Sequence, residues 1–89
     1  MKKGKLSVDN LEKLHSFSYD NKESIGKSNE CGCFYCLKSF KASEVKKYII
    51  QDSTALCPNC GFDSVLGDVS GFAVTDAKLL KQMREYYFG

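Results

Sequence analysis

Two pairs of cysteines, each pair spaced by two residues, constrain this chain more than any other feature: Cys33 with Cys36, and Cys57 with Cys60. Twenty residues lie between the pairs. A C-x2-C loop is short enough for both sulfurs to take adjacent corners of a tetrahedron, and its backbone N–H groups turn toward the sulfurs and offset their charge. Cys57-Pro58-Asn59-Cys60-Gly61 suits such a knuckle. Pro58 pre-sets the first turn, and Gly61 permits the positive φ that often follows the second ligand. The doubled pair therefore predicts a four-cysteine zinc site with Cys33, Cys36, Cys57 and Cys60 as ligands. Four thiolates fill the tetrahedron and leave no position for water. The expected role is structural, with one ion per chain contributing directly to folding.

Cys31 is the surplus cysteine, and the one-residue spacing of Cys31-Gly32-Cys33 is poor for a knuckle. It reads as a free or buried thiol beside the site, as an alternate ligand, or as a redox-sensitive thiol that exchanges with a ligand on oxidation. The sequence leaves these three open. Cys57-Pro58-Asn59-Cys60 also has the form of a dithiol redox site, but that chemistry needs the pair at a helix start in a βαβ context. A strand-turn context and a second C-x2-C argue against it.

The chain has 89 residues, enough for one small domain. A domain of this size buries a limited fraction of its surface, and a metal staple is a common remedy. The expected organisation is a basic flexible tail over residues 1–5 and a single zinc-stabilised domain over residues 6–89. No apolar run approaches the roughly 18 residues that span a bilayer. No apolar stretch of signal-peptide length follows Met1-Lys2-Lys3-Gly4-Lys5. A cytoplasmic protein without membrane contact is expected. An odd cysteine count in two close pairs then favours metal over disulfides. The formal charge is +2, and four thiolates with a divalent ion bring the holo protein close to neutral. Net charge alone thus argues weakly for nucleic acid.

Residues 7–17 predict a short helix, capped by Ser7 or Asp9, with Leu11, Leu14 and Phe17 as its apolar stripe. A weaker helical stretch runs over 20–27, anchored by Ile25 and ended by Gly26 and Ser28-Asn29-Glu30. Residues 41–49 predict a helix whose apolar face is Val45, Tyr48 and Ile49 at i, i+3 and i+4. Gln51-Asp52-Ser53 is a turn. Thr54-Ala55-Leu56 and Ser64-Val65-Leu66 are read as partner strands. The clearest helix follows Thr75, its expected N-cap, with Leu79, Leu80, Met83, Tyr86 and Tyr87 on one face and Lys78, Lys81 and Arg84 on the other. The sum is an α+β fold: a small zinc-ribbon or treble-clef-like core of short antiparallel strands, with N-terminal helices and a C-terminal helix.

Enzymatic alternatives that use zinc or cysteine meet missing residues. A zinc deaminase needs H-x-E before its cysteine pair, but the single histidine, His15, is followed by Ser16-Phe17. A ββα-metal nuclease needs a histidine between its cysteine pairs, and none lies between Cys36 and Cys57. A serine or cysteine hydrolase needs a positioned base, for which His15 is the sole candidate. No enzymatic activity is expected.

The stretches Cys31-Gly-Cys-Phe-Tyr-Cys-Leu-Lys-Ser-Phe, Ala42-Ser-Glu-Val and Thr54-Ala-Leu-Cys-Pro-Asn-Cys-Gly-Phe-Asp-Ser-Val-Leu-Gly resemble a family of small bacterial and phage proteins. These are usually labelled only "cytoplasmic protein" and treated as zinc-ribbon-like. The resemblance extends to Gly71-Phe72-Ala73-Val74-Thr75-Asp76, the aromatic C-terminal helix and Asn10-Leu11-Glu12-Lys13-Leu14-His15. It implies the same four zinc ligands and brings no activity with it. Ala42 departs from the pattern, which has proline at that helix start, but alanine is a good helix former.

Two functions are then in competition. The first is a protein-interaction module, an adaptor or inhibitor of phage or host-defence type, for an unidentified protein partner. Its candidate surface is Tyr86, Tyr87 and Phe88 together with Phe34 and Tyr35 at the first knuckle. The alternative is a nucleic-acid-binding zinc ribbon. Lys38, Lys41, Lys46 and Lys47 lie near Phe34, Tyr35, Phe40 and Tyr48, where they would meet phosphates while the rings stack on bases. Residues 51–77 hold Asp52, Asp63, Asp68 and Asp76 with no lysine or arginine. The molecule is therefore expected to be dipolar, which suits an oriented protein partner at least as well.

Overall fold

The computed structural model describes residues 6–89, and the basic tail expected over residues 1–5 lies outside them. The hydroxyl of Ser7 accepts the Asn10 N–H at 3.2 Å and caps the first helix, α1 (Val8–His15). Such a cap satisfies one of the amide donors that a helix start leaves unpaired. Leu11 and Leu14 share one face of α1 and are buried. The second helix, α2 (Lys22–Lys27), is anchored by buried Ile25.

Five short strands follow: β1 (Glu30–Cys33), β2 (Ser39–Lys41), β3 (Tyr48–Ile49), β4 (Thr54–Ala55) and β5 (Val65–Gly67). They form two antiparallel sheets among the described residues. One has the order β2-β1-β5, and β3 pairs with β4 in the other. Side chains alternate across a strand, so β1 sends Cys31 and Cys33 to one face and Gly32 to the other. The cysteine face joins Ile25, Phe40, Val45, Ala55, Cys57 and Val65 in one core. The opposite face is covered by α1 and the C-terminal helix α3 (Ala77–Phe88), which bring Leu14, Leu80 and Met83 against Leu66 and Phe34 in a second core. The sheet thus divides a helix side from a cysteine side. Each fully buried Leu or Met there is worth about 1.5–3 kcal/mol of transfer free energy.

The helix side is closed by contacts between the ends of the sequence. Leu6 N–H donates to the Gln82 side-chain oxygen at 3.0 Å, and Gln82 Nε2 donates back to the Leu6 carbonyl at 2.9 Å. The Tyr87 hydroxyl reaches the Leu11 carbonyl at 3.4 Å.

Three expectations are corrected. Residues 41–49 do not form a helix. They run from β2 through a 3-10 turn (Ala42–Glu44) into extended chain and then β3. Glu44 accepts the Lys41 N–H at 3.3 Å, a capping-box contact that closes the start of that turn. Val45 then adopts an extended conformation and enters the cysteine-side core. Tyr48 and Ile49 are aromatic and β-branched, and with Ala55 and Thr54 as cross-strand partners such residues favour strand. Thr54–Ala55 pairs with Tyr48–Ile49, not with residues 64–66, whose strand pairs instead with β1. Finally, α3 is capped by Asp76, whose carboxylate accepts the Lys78 N–H at 2.9 Å, and not by Thr75.

Asn21 holds these pieces together. It is buried, and its Nδ2 donates to the Phe17 carbonyl at 2.8 Å and to the Val65 carbonyl at 2.9 Å. Its Oδ1 accepts the Ala55 N–H at 2.8 Å. One amide thus joins the 3-10 turn after α1 (Ser16–Ser18), β5 and β4. Leaving buried backbone groups unpaired costs about 1–3 kcal/mol. Asn21→Ala is therefore expected to lower stability by about that amount in urea unfolding, whereas an unchanged midpoint would show that the staple adds nothing.

Candidate metal centre

The two cysteine pairs are built alike, bond for bond. In the first knuckle the N–H groups of Tyr35 and Cys36 both point at Cys33 Sγ, at 3.4 Å each. In the second, the N–H groups of Asn59 and Cys60 point at Cys57 Sγ, at 3.3 and 3.4 Å. The Leu37 N–H donates to the Cys33 carbonyl and the Gly61 N–H to the Cys57 carbonyl, both at 2.9 Å. The Cys33 N–H reaches the Lys38 carbonyl and the Cys57 N–H the Phe62 carbonyl, again both at 2.9 Å. Leu37 has φ 67° and Gly61 has φ 83°. Glycine tolerates that region, while a leucine there costs roughly 1–2 kcal/mol. The first knuckle keeps its shape despite that cost, as backbone strain at a functional site does.

The antiparallel pairing of β1 with β5 and the β3–β4 hairpin bring the knuckles face to face. Sγ of Cys33 lies 3.6 Å from that of Cys60, and Sγ of Cys36 lies 3.8 Å from that of Cys57. All four sulfurs fall within 4.8 Å of one another, and they form a site that can hold a metal ion. These separations far exceed the roughly 2.05 Å of a disulfide. The second knuckle runs into a strand, β5, which gives a zinc-ribbon-like core.

Burial and hydrogen bonding act on the thiols in opposite directions. Burial dominates at Cys33 and pushes its thiol up to about 12, although N–H groups of Cys36 and Tyr35 and the Ser64 hydroxyl, 3.0 Å away, favour the thiolate. Cys36 is also raised by burial. The Asn59 side chain, whose Nδ2 is 3.5 Å from Cys36 Sγ, and the Lys38 N–H reverse this and bring it to about 7. Burial raises Cys60 as well. Cys36 therefore ionises more readily than Cys33, and a bound cation would displace protons from both.

Cys31 stands apart from the four. It is fully buried, with Ile25, Phe40 and Val45 in its core. Burial first, then the Asp68 and Glu30 carboxylates, pushes its thiol up to about 12. A thiol so reluctant to ionise is a poor nucleophile.

The residues proposed for an interaction surface separate. Phe34 is buried against the helices, so its place on that surface is corrected. The two central residues of a knuckle point apart, and Tyr35 is the one directed outward. Its ring stacks on Phe62 with centroids 3.8 Å apart and planes 2° apart. Phe88 meets the edge of that pair, 5.0 Å from Tyr35 and 6.2 Å from Phe62. Tyr87 is half-buried and stacks on His15 at 4.0 Å, while exposed Tyr86 donates to the Glu12 carboxylate at 3.3 Å. Lys38, Lys41, Lys46 and Lys47 are all exposed. Lys46 and Lys47 border a cavity of about 320 Å³ beside Cys57 and Pro58, and Lys38 borders a separate one beside Asn59.

Sequence reasoning passed over Phe62 and Arg84. The available signal was an aromatic residue directly after Cys60-Gly61, next to a knuckle that itself carries an aromatic. No helix among the described residues is long and apolar enough to cross a membrane. Compared with known proteins, the chain matches no protein-family model, no curated protein and no solved structure.

Proposed function

We propose that this is a non-catalytic domain that holds one structural Zn²⁺ on Cys33, Cys36, Cys57 and Cys60 and serves to engage another protein in the cytoplasm. The observation that carries it is the closed sulfur tetrad. Zn–S bonds of about 2.3 Å at tetrahedral angles set neighbouring sulfurs about 3.8 Å apart. The Cys33–Cys60 and Cys36–Cys57 separations are 3.6 and 3.8 Å. Soft thiolates on such a frame suit zinc. Among the described residues no histidine or carboxylate joins the cluster, so the set offers no corner for water and supports a structural role. The likeness of the cysteine segments to small bacterial and phage proteins treated as zinc-ribbon-like points the same way.

An adaptor or inhibitor role is supported by the rings beside the metal centre, because Phe62 and Phe88 remain exposed. The nucleic-acid alternative loses much of its stacking surface, since Phe34 and Phe40 are buried. Metal analysis of purified protein should give one zinc per chain, and X-ray absorption should give four sulfur neighbours at about 2.3 Å. A disulfide within either pair in freshly reduced protein would sink the assignment.

A further inference from the structure

A groove of about 640 Å³ lies between the knuckles and α3. That volume is within the range that takes a small ligand or a few side chains. Tyr35, Phe62 and Phe88 line it as an aromatic surface, and Lys81, Arg84 and Glu85 border it from the helix. Its two stacked rings come from different knuckles. Tyr35 lies within the first, and Phe62 follows the second. Whatever ties the knuckles together therefore also assembles the groove.

The charges indicate what fits there. The Arg84 guanidinium sits over the Tyr35 ring, 5.3 Å from its centroid. This cation–π contact steadies the guanidinium beside the groove, and a guanidinium can grip a carboxylate at two points. Among the described residues neither Arg84 nor Lys81 has an ion-pair partner. Glu85, one turn beyond Lys81, limits the negative charge the groove accepts. That favours one carboxylate beside an apolar side chain over an acidic run. A phosphate chain needs a row of cations, but Lys38, Lys46 and Lys47 border other cavities. We infer that this groove docks a segment of another protein in which a single Asp or Glu neighbours a Phe or Leu. The inference rests on the zinc-domain reading above and names the partner's chemistry.

The test uses fluorescein-labelled peptides carrying one Glu beside one Phe in a Gly/Ser background. Glu→Lys and Phe→Ser versions and a labelled oligothymidylate serve as comparisons. Zinc content and sedimentation are measured on the same samples. The Glu–Phe peptide should bind the wild-type protein at least about tenfold more tightly than its Glu→Lys and Phe→Ser versions. Arg84→Glu and Phe62→Ala should each weaken it by about tenfold while keeping one zinc per chain. Equal binding of all peptides would overturn the proposal. So would indifference to Arg84→Glu, oligothymidylate binding that Arg84→Glu abolishes, or a dimer that buries the groove. Zinc at one per chain without peptide preference removes the groove alone. Peptide preference in a protein that holds no zinc removes the zinc-domain reading alone.

Discussion

A Cys57→Ser chain is expected to be unfolded at room temperature, whereas Cys31→Ser should fold and keep its metal. Cys57 accepts two N–H bonds at the head of the second knuckle, and its sulfur faces Cys36 across the site. Replacing it leaves three thiolates and a distorted corner. Structural zinc sites contribute on the order of 10 kcal/mol to folding, and a small domain has only about 5–15 kcal/mol in total. Losing most of the metal's contribution therefore leaves little or nothing. Cys31 sits two residues from Cys33 and is more deeply buried than Cys57. By burial alone it would be the more damaging site, but the serine hydroxyl there lacks only a hydrogen-bond partner, a loss of about 1–3 kcal/mol. Circular dichroism and thermal melting of both variants, with chelator added to wild type as a control, distinguish the cases. A Cys57→Ser chain that melts like wild type refutes the metal's structural role. Zinc release from Cys31→Ser as ready as from Cys57→Ser would make Cys31 a ligand.

Gly32→Ala should be the most damaging single methyl addition in the domain. Gly32 is in the central strand, paired with Ser39 on one side and Leu66 on the other. A Cβ there would overlap the Val74 carbonyl oxygen and press on the Leu80 side chain at 3.1 Å. The obstacle is backbone, so it cannot swing aside. The segment leading into α3 would have to lift off the sheet, with Val74 and Leu80 leaving their core. Overpacking of this kind costs about 3 kcal/mol or more. The expected readout is a large fall in the urea midpoint with zinc still bound at one per chain, because the cysteines face the other side of the strand. Wild-type stability in this variant would mean that Val74 does not approach the strand so closely.

The parts of this fold that sequence made legible are those whose causes are local. Ser7 and Leu11/Leu14 mark α1, the C-x2-C spacing marks each knuckle, and the apolar positions 79, 80 and 83 mark α3. The segment 41–49 shows the limit. Val45, Tyr48 and Ile49 fit a helical stripe, yet their β-branched and aromatic shapes fit a strand equally well. The decision rested on residues elsewhere in the chain: Glu30 opposite Lys41, and Thr54–Ala55 opposite Tyr48–Ile49. Phe34 and Tyr35 illustrate the same limit at the site. Both are aromatic and adjacent, and which one turns inward depends on where the helices lie. The stacking of Tyr35 on Phe62 needs the knuckles to be closed, which no stretch of sequence contains.

The mutual grip of Leu6 and Gln82 bears on how the domain opens. Helices shorter than about 12–15 residues are marginal in water by themselves, and α1 has 8 residues and α3 has 12. Each is therefore helical largely because the other is docked beside it. Fraying from either end is not expected to progress independently, since loosening either residue breaks both bonds between the Gln82 side-chain amide and the Leu6 backbone. The first and last helices are therefore expected to exchange their amide protons through one shared opening, as a single cooperative unit assembled from the two most sequence-distant elements of the fold.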